Sequence, residues 1–105
     1  MDIVEMQKQV DKWLSQYDPT YFPPLSIMAQ IAEEVGELSR SVNSEYGGRV
    51  RKTTDPKTEI GNEICHVVFE LICLANSHNI NLGEMWGKAI LPRIERDKDR
   101  YEKVE

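Results

Sequence analysis

Apolar residues recur at intervals of three and four along most of the chain, the spacing that gives an α-helix one apolar stripe. Ile3, Val4, Met6, Val10, Trp13, Leu14 and Tyr17 predict a first helix over 3–17. Prolines at 19, 23 and 24 then break the pattern, because a ring-locked residue without an N–H cannot continue a helix. The second helix is expected from Pro24, a residue suited to a first turn, to about 43–46, where Gly47 and Gly48 end it. Positions 28, 31, 35, 38 and 42 form its expected buried seam. A third helix is expected from about 56–57 to 77–78, with its seam at 60, 64, 67, 71 and 74. Its stretch from Ile64 to Ala75 is apolar on nearly every side, which predicts the central helix. The fourth runs from about Leu82 to 90–91, where Pro92 stops or kinks it, and a charged, solvated end follows. No strand pattern, repeat or low-complexity segment interrupts this all-α reading of one domain over 1–105, a four-helix bundle.

Composition narrows the class. The net charge of −5 gives no global reason to expect nucleic-acid binding. No apolar run is long enough to span a bilayer, so no membrane role is expected. Cys65 and Cys73 stand eight positions apart on one helix, too far along its axis to bridge each other. Free thiols and the lack of an export signal predict a cytoplasmic protein, with both cysteines as small core residues. A bundle of this length gains from association, and an apolar third helix needs more cover than three short neighbours give. A homodimer or homotetramer is therefore expected.

The candidate chemistry lies in the middle of the second and third helices. Glu34 and Glu37 stand three apart, and so do Glu63 and His66. That spacing puts each pair on one face, displaced about 60° around the axis and one turn along it. Glu34 and Glu63 fall about 50–70° to one side of their seams, and Glu37 and His66 about 110–130° to the same side. Packing on those seams lets three carboxylates and an imidazole converge, an arrangement that a divalent cation would compensate. The plain alternative is a solvated acidic face. Glu70, one turn past His66, is either a spare carboxylate or an orienting partner for the imidazole. Gly36 is expected where another helix or a ligand comes close. Tyr21 and Phe22 line a base-stacking pocket or plug the end of the bundle. Arg49, Arg51 and Lys52 stand in a polar loop, and Arg93, Arg96, Lys98 and Arg100 put four cations into eight residues near the end.

The chain resembles the MazG-like nucleoside triphosphate pyrophosphohydrolases, an all-α superfamily, over nearly its whole length. The likeness is carried by Tyr21, Phe22, Pro23, Pro24 and Leu25, by the run from Glu33 to Leu38, by Leu71 to Asn76, and by Arg96 to Arg100. The family's E-x-x-E and E-x-x-D pair stands here as Glu34-x-x-Glu37 and Glu63-x-x-His66. The resemblance implies Mg²⁺, with Mn²⁺ as a substitute, held by Glu34, Glu37, Glu63 and His66. It implies hydrolysis of a (deoxy)nucleoside triphosphate to the monophosphate and pyrophosphate by a homo-oligomer. Glu33 and Glu34 would serve catalysis, with Glu33 or another nearby carboxylate taking a proton from water. Tyr21, Phe22, Arg93, Arg96, Lys98 and Arg100 would bind substrate. Two positions depart from the pattern: His66 replaces an aspartate, and Pro92 followed by Arg93 stands where relatives often carry a lysine. Imidazole is a poor ligand for Mg²⁺. Two alternatives follow, a nucleotide-binding protein with weakened or lost hydrolysis and a purely structural helical interaction module.

Overall fold

The computed structural model describes residues 1–48 and 59–104. It is helical throughout, with α1 over Ile3–Leu14, α2 over Pro24–Tyr46, α3 over Ile60–Ser77, α4 over Leu82–Ala89 and α5 over Leu91–Asp97. The expected four-helix architecture holds, with its last member bent at Ile90 into α4 and α5. The charged end is therefore helical as far as Asp97, because Pro92 sits in the first turn of α5, where its missing N–H costs nothing. The first helix stops three residues short of the expected Tyr17. Arg49, Arg51, Lys52 and the expected start of the third helix at 56–57 lie outside the described residues.

Local chemistry accounts for the helix boundaries. Asp2 caps α1 by accepting from the Glu5 amide at 2.8 Å, and Asn81 caps α4 by accepting from the Glu84 amide at 3.0 Å. After α3, Asn79 takes the left-handed conformation (φ 55°), and the Ile80 amide returns to the Ala75 carbonyl at 2.9 Å. Gly83 is needed for close approach, since a Cβ there would stand 2.9 Å from Cγ2 of Val4.

The body is the pair α2–α3, with α1 across α3 and α4 against α1; α5 packs on α4. Ile27 and Gln30 share a slot with Glu70 and Cys73, while Glu34 meets Glu63 and His66. Rising numbers on α2 face falling numbers on α3, so the two are antiparallel.

The line along which α2 meets α3 keeps Ile31 and Leu38 of the expected α2 seam but departs from the rest of it. On α2, Ile27 and Ser41 are buried and Ile31, Glu34 and Leu38 half-buried, whereas Met28, Val35 and Val42 are exposed. On α3, Glu63, Ile72, Cys73 and Ala75 are buried, whereas Ile64 and Leu71 are exposed. The contact line thus runs one residue, or about 100°, round from the exposed positions 28, 35 and 42 on α2 and 64 and 71 on α3. Because the helices are antiparallel, the displacement leaves both apolar stripes on the same side of the pair. Cys73 is buried but Cys65 is exposed, so only one cysteine is a core residue, and both are free thiols. Gly36 has no neighbour among the described residues within 4 Å of where a Cβ would stand, so none of them comes close there.

One polar network ties the ends together. Gln7, buried on α1, donates to Asn76 Oδ1 at 2.9 Å and to the Ile80 carbonyl at 2.7 Å. Its own Oε1 accepts from the Leu82 amide at 2.9 Å. Asn76 donates back to the Gln7 carbonyl and to the Tyr21 hydroxyl, both at 3.0 Å, and that hydroxyl donates to Asp11 at 2.7 Å. Tyr21 is thereby pinned between α1 and α3, while Phe22 is exposed. No helix among the described residues is long and apolar enough to cross a membrane.

Candidate metal centre

Two helices place the cluster. Glu34 comes from the middle of α2, and Glu63 and His66 from successive turns of α3, where the three-residue spacing brings them to one face. Ligand atoms of Glu34, Glu63 and His66 all lie within 4.8 Å of one another. The Nδ1 of His66 stands 3.5 Å from Oε2 of Glu34 and 3.9 Å from Oε2 of Glu63. Both separations exceed hydrogen-bond length. Two donors each about 2.1 Å from a common ion stand roughly 3.0–4.2 Å apart, depending on their angle at the ion. Both spacings from His66 lie in that range.

Burial separates the members. Glu63 is 7 % exposed, Glu34 is half-buried and His66 is exposed at the rim. A carboxylate as buried as Glu63 ordinarily accepts several hydrogen bonds. Its one described partner is the His66 ring at 3.9 Å. Glu70, a turn beyond His66, has its pKa raised, first by burial and then by the negative charge of Glu34. Glu34 thus looks across at a stripe of Glu63, His66 and Glu70.

Glu37 is not within the 4.8 Å group; it lies a turn farther along α2 and is exposed, as is Glu33. Glu70, left open in the sequence as spare ligand or orienting partner, enters through its place on the Glu63–His66 stripe. A donor set of two carboxylates and one imidazole fits a divalent cation; its nitrogen makes it less suited to Mg²⁺ than an all-oxygen set.

Beside the cluster, between α1, α2 and α3, opens a slot of about 240 Å³. Trp13, Tyr21, Phe22 and Phe69 give it aromatic walls, and Thr20, Gln30 and Glu70 are its polar lining. Glu70 therefore belongs both to the slot and to the carboxylates facing Glu34. The C-terminal cations are engaged locally. Asp97 pairs with Arg96 at 2.9 Å, Arg100 at 3.8 Å and Arg93 at 4.0 Å, and Lys98 pairs with Glu95 at 2.7 Å.

An all-helical fold with a carboxylate-rich centre between two antiparallel helices defines a class of small helical proteins, and comparison with known proteins places the chain within it. Residues 22–101 match the MazG nucleotide pyrophosphohydrolase domain. The chain belongs to that family. It is 41 % identical over 101 residues to YpjD of Bacillus subtilis strain 168, covering 96 % of this chain and 91 % of that one. The crystal structure of B. subtilis YpjD aligns with a TM-score of 0.75 at 36 % identity, over 94 % of this chain and 96 % of the other. The crystal structure of the Bacillus-conserved MazG protein, a nucleotide pyrophosphohydrolase, aligns with a TM-score of 0.76 at 40 % identity, over 95 % and 97 %.

Proposed function

We propose that the protein is a metal-dependent nucleoside triphosphate pyrophosphohydrolase, converting a (d)NTP and water to the (d)NMP and pyrophosphate. The observation that carries this reading is the group of Glu34, Glu63 and His66 within a single ion's reach, in a family of nucleotide pyrophosphohydrolases. A bound divalent cation, Mg²⁺ or Mn²⁺, would neutralise phosphate charge and position water. Glu34, Glu63 and His66 would hold it, with Glu37 a turn along α2 from Glu34 as a further carboxylate. Water oxygen bonds to the α-phosphorus as the bond to the α–β bridging oxygen breaks, and pyrophosphate leaves. The proton lost by water passes to a carboxylate. Glu70, with its raised pKa and its place facing Glu34, suits that role better than the exposed Glu33. The aromatic slot takes the base, stacked beside Tyr21 and Phe22. Arg93, Arg96, Lys98 and Arg100 would reach the phosphates only by exchanging their pairings with Asp97 and Glu95.

The reading includes a second copy of the chain. Leu25, Met28, Val35, Val42 and Tyr46 on α2, with Ile64 and Leu71 on α3, expose one apolar face. The radius of gyration is 17.4 Å, against about 13 Å for a compact chain of 100 residues. A two-helix apolar face is self-complementary, and pairing two of them about a twofold axis builds a four-helix bundle. The acidic centre then lies at the flank of that interface.

The test is a panel of NTPs and dNTPs assayed with Mg²⁺ and with Mn²⁺ for released pyrophosphate. Metal-dependent release supports the reading. No release with either metal overturns it, and stabilisation by nucleotide without release would instead favour a binding protein of the same fold.

A further inference from the structure

We propose that the centre selects a transition-metal dication of the manganese-to-zinc series, bound through the Nδ1 of His66 together with the carboxylates of Glu34 and Glu63. The proposal deepens the metal-dependent reading above, and it does not require that nucleotide be hydrolysed.

Three observations carry it. The imidazole nitrogen turned toward the carboxylates is Nδ1, at 3.5 Å and 3.9 Å, too far for hydrogen bonds and at the spacing of donors around one ion. Glu63 has its carboxylate on a side chain only 10 % exposed, turned into the cluster and given no hydrogen bond by any described residue. One ligand atom from each of Glu34, Glu63 and His66 lies within 4.8 Å of the other two, so two carboxylate oxygens and one imidazole nitrogen face a common point.

The identity of the cation follows from the donors. Mg²⁺ demands oxygen ligands in near-octahedral geometry and gives up its water reluctantly. Imidazole suits the later first-row metals, and a mixed nitrogen–oxygen set accepts Mn²⁺, Fe²⁺, Co²⁺ or Zn²⁺. His66 is exposed at the rim, so its ring is free to meet an ion that enters from solvent, while Glu63 forms the floor.

The experiment uses the full chain without nucleotide. Mn²⁺ is bound to the metal-free protein, and pulsed electron paramagnetic resonance reads the nuclei around it. The expected result is a ¹⁴N coupling from the imidazole, which disappears in His66→Asp. In parallel, Co²⁺ and Mg²⁺ affinities are measured by titration calorimetry for both proteins. His66→Asp is expected to lower the ratio of Co²⁺ to Mg²⁺ affinity by at least about tenfold. Bound Mn²⁺ without nitrogen coupling, an unchanged affinity ratio, or no metal binding at all overturns the proposal. Pyrophosphate release is assayed separately. Nitrogen coupling without release rejects the hydrolase reading and leaves this one standing, and release with Mg²⁺ but no coupling does the reverse.

Discussion

The Nδ1 of His66 on α3 lies 3.5 Å from Oε2 of Glu34 on α2, across the line where the two helices meet. It is the shorter of the two contacts His66 makes with carboxylates in the cluster, and it joins residues 32 apart in sequence. Where the family pattern has a second acid, α3 here offers a nitrogen. That substitution sets the first prediction.

Replacing His66 with Asp restores an oxygen ligand and one negative charge. Mg²⁺-dependent pyrophosphate release should rise at least tenfold, about 1.4 kcal/mol of transition-state stabilisation. The measurement compares both proteins at saturating Mg²⁺ and one pH. Equal or lower release from the Asp form would show that imidazole serves Mg²⁺ chemistry as well as carboxylate does.

Glu63→Gln keeps the shape of the buried side chain and removes its charge. If Glu63 is a ligand as proposed, metal-dependent release should fall by about a hundredfold or more, since a donor and its charge are lost together. In chelator, the melting temperature should be no lower than that of the unaltered chain, because the carboxylate's burial is not repaid by hydrogen bonds. A clear drop in that temperature would assign Glu63 to the framework of the fold instead.

Gln7 should behave in the opposite way. Its side chain makes three hydrogen bonds, to Asn76, Ile80 and Leu82, and truncation leaves their partners unsatisfied. Gln7→Ala should cost about 2–4 kcal/mol in urea unfolding. A loss under about 0.5 kcal/mol would mean that water replaces the amide without penalty.

Tyr21 supplies a pH signature. Burial, reinforced by the hydrogen bond to Asp11, pushes its pKa from 10.0 up to about 12. Between those values the unfolded chain loses a proton that the folded chain keeps, so stability falls as pH rises from about 10 to about 12. Below pH 10 both states hold the proton and the contribution is intact. Ultraviolet titration should show one tyrosine ionising late, and Tyr21→Phe should remove it. Four tyrosines titrating together near pH 10 would contradict the assignment.

The exposed faces of α2 and α3 predict a particle larger than one chain. Light scattering at micromolar concentration should give at least twice 12.1 kDa. Val35→Arg with Leu71→Arg should return it to a single chain, because like charges buried across a symmetric apolar interface find no partner. A 12.1 kDa particle from the unaltered protein would refute the association.

Much of this protein was legible in its sequence because the determining physics is local. Helical periodicity, the prolines at 23 and 24 and the glycines at 47 and 48 delimit α2 without reference to any other part of the chain. The three-residue spacings of Glu34 with Glu37 and of Glu63 with His66 depend only on helix geometry. Tertiary packing alone decided which stripe of each helix faces inward. Periodicity fixes the angle between residues on one helix, but the choice of neighbour depends on how two surfaces fit. Here the contact runs through Ile27, Ile31, Glu34, Leu38 and Ser41, one residue round from the stripe of Met28, Val35 and Val42. That rotation buries Glu63, excludes Glu37 from the 4.8 Å group and turns Cys65 outward. The pairing of Gln7 with Asn76 spans 69 residues and has no local signature, since each amide gains its partner only when α1 closes on α3.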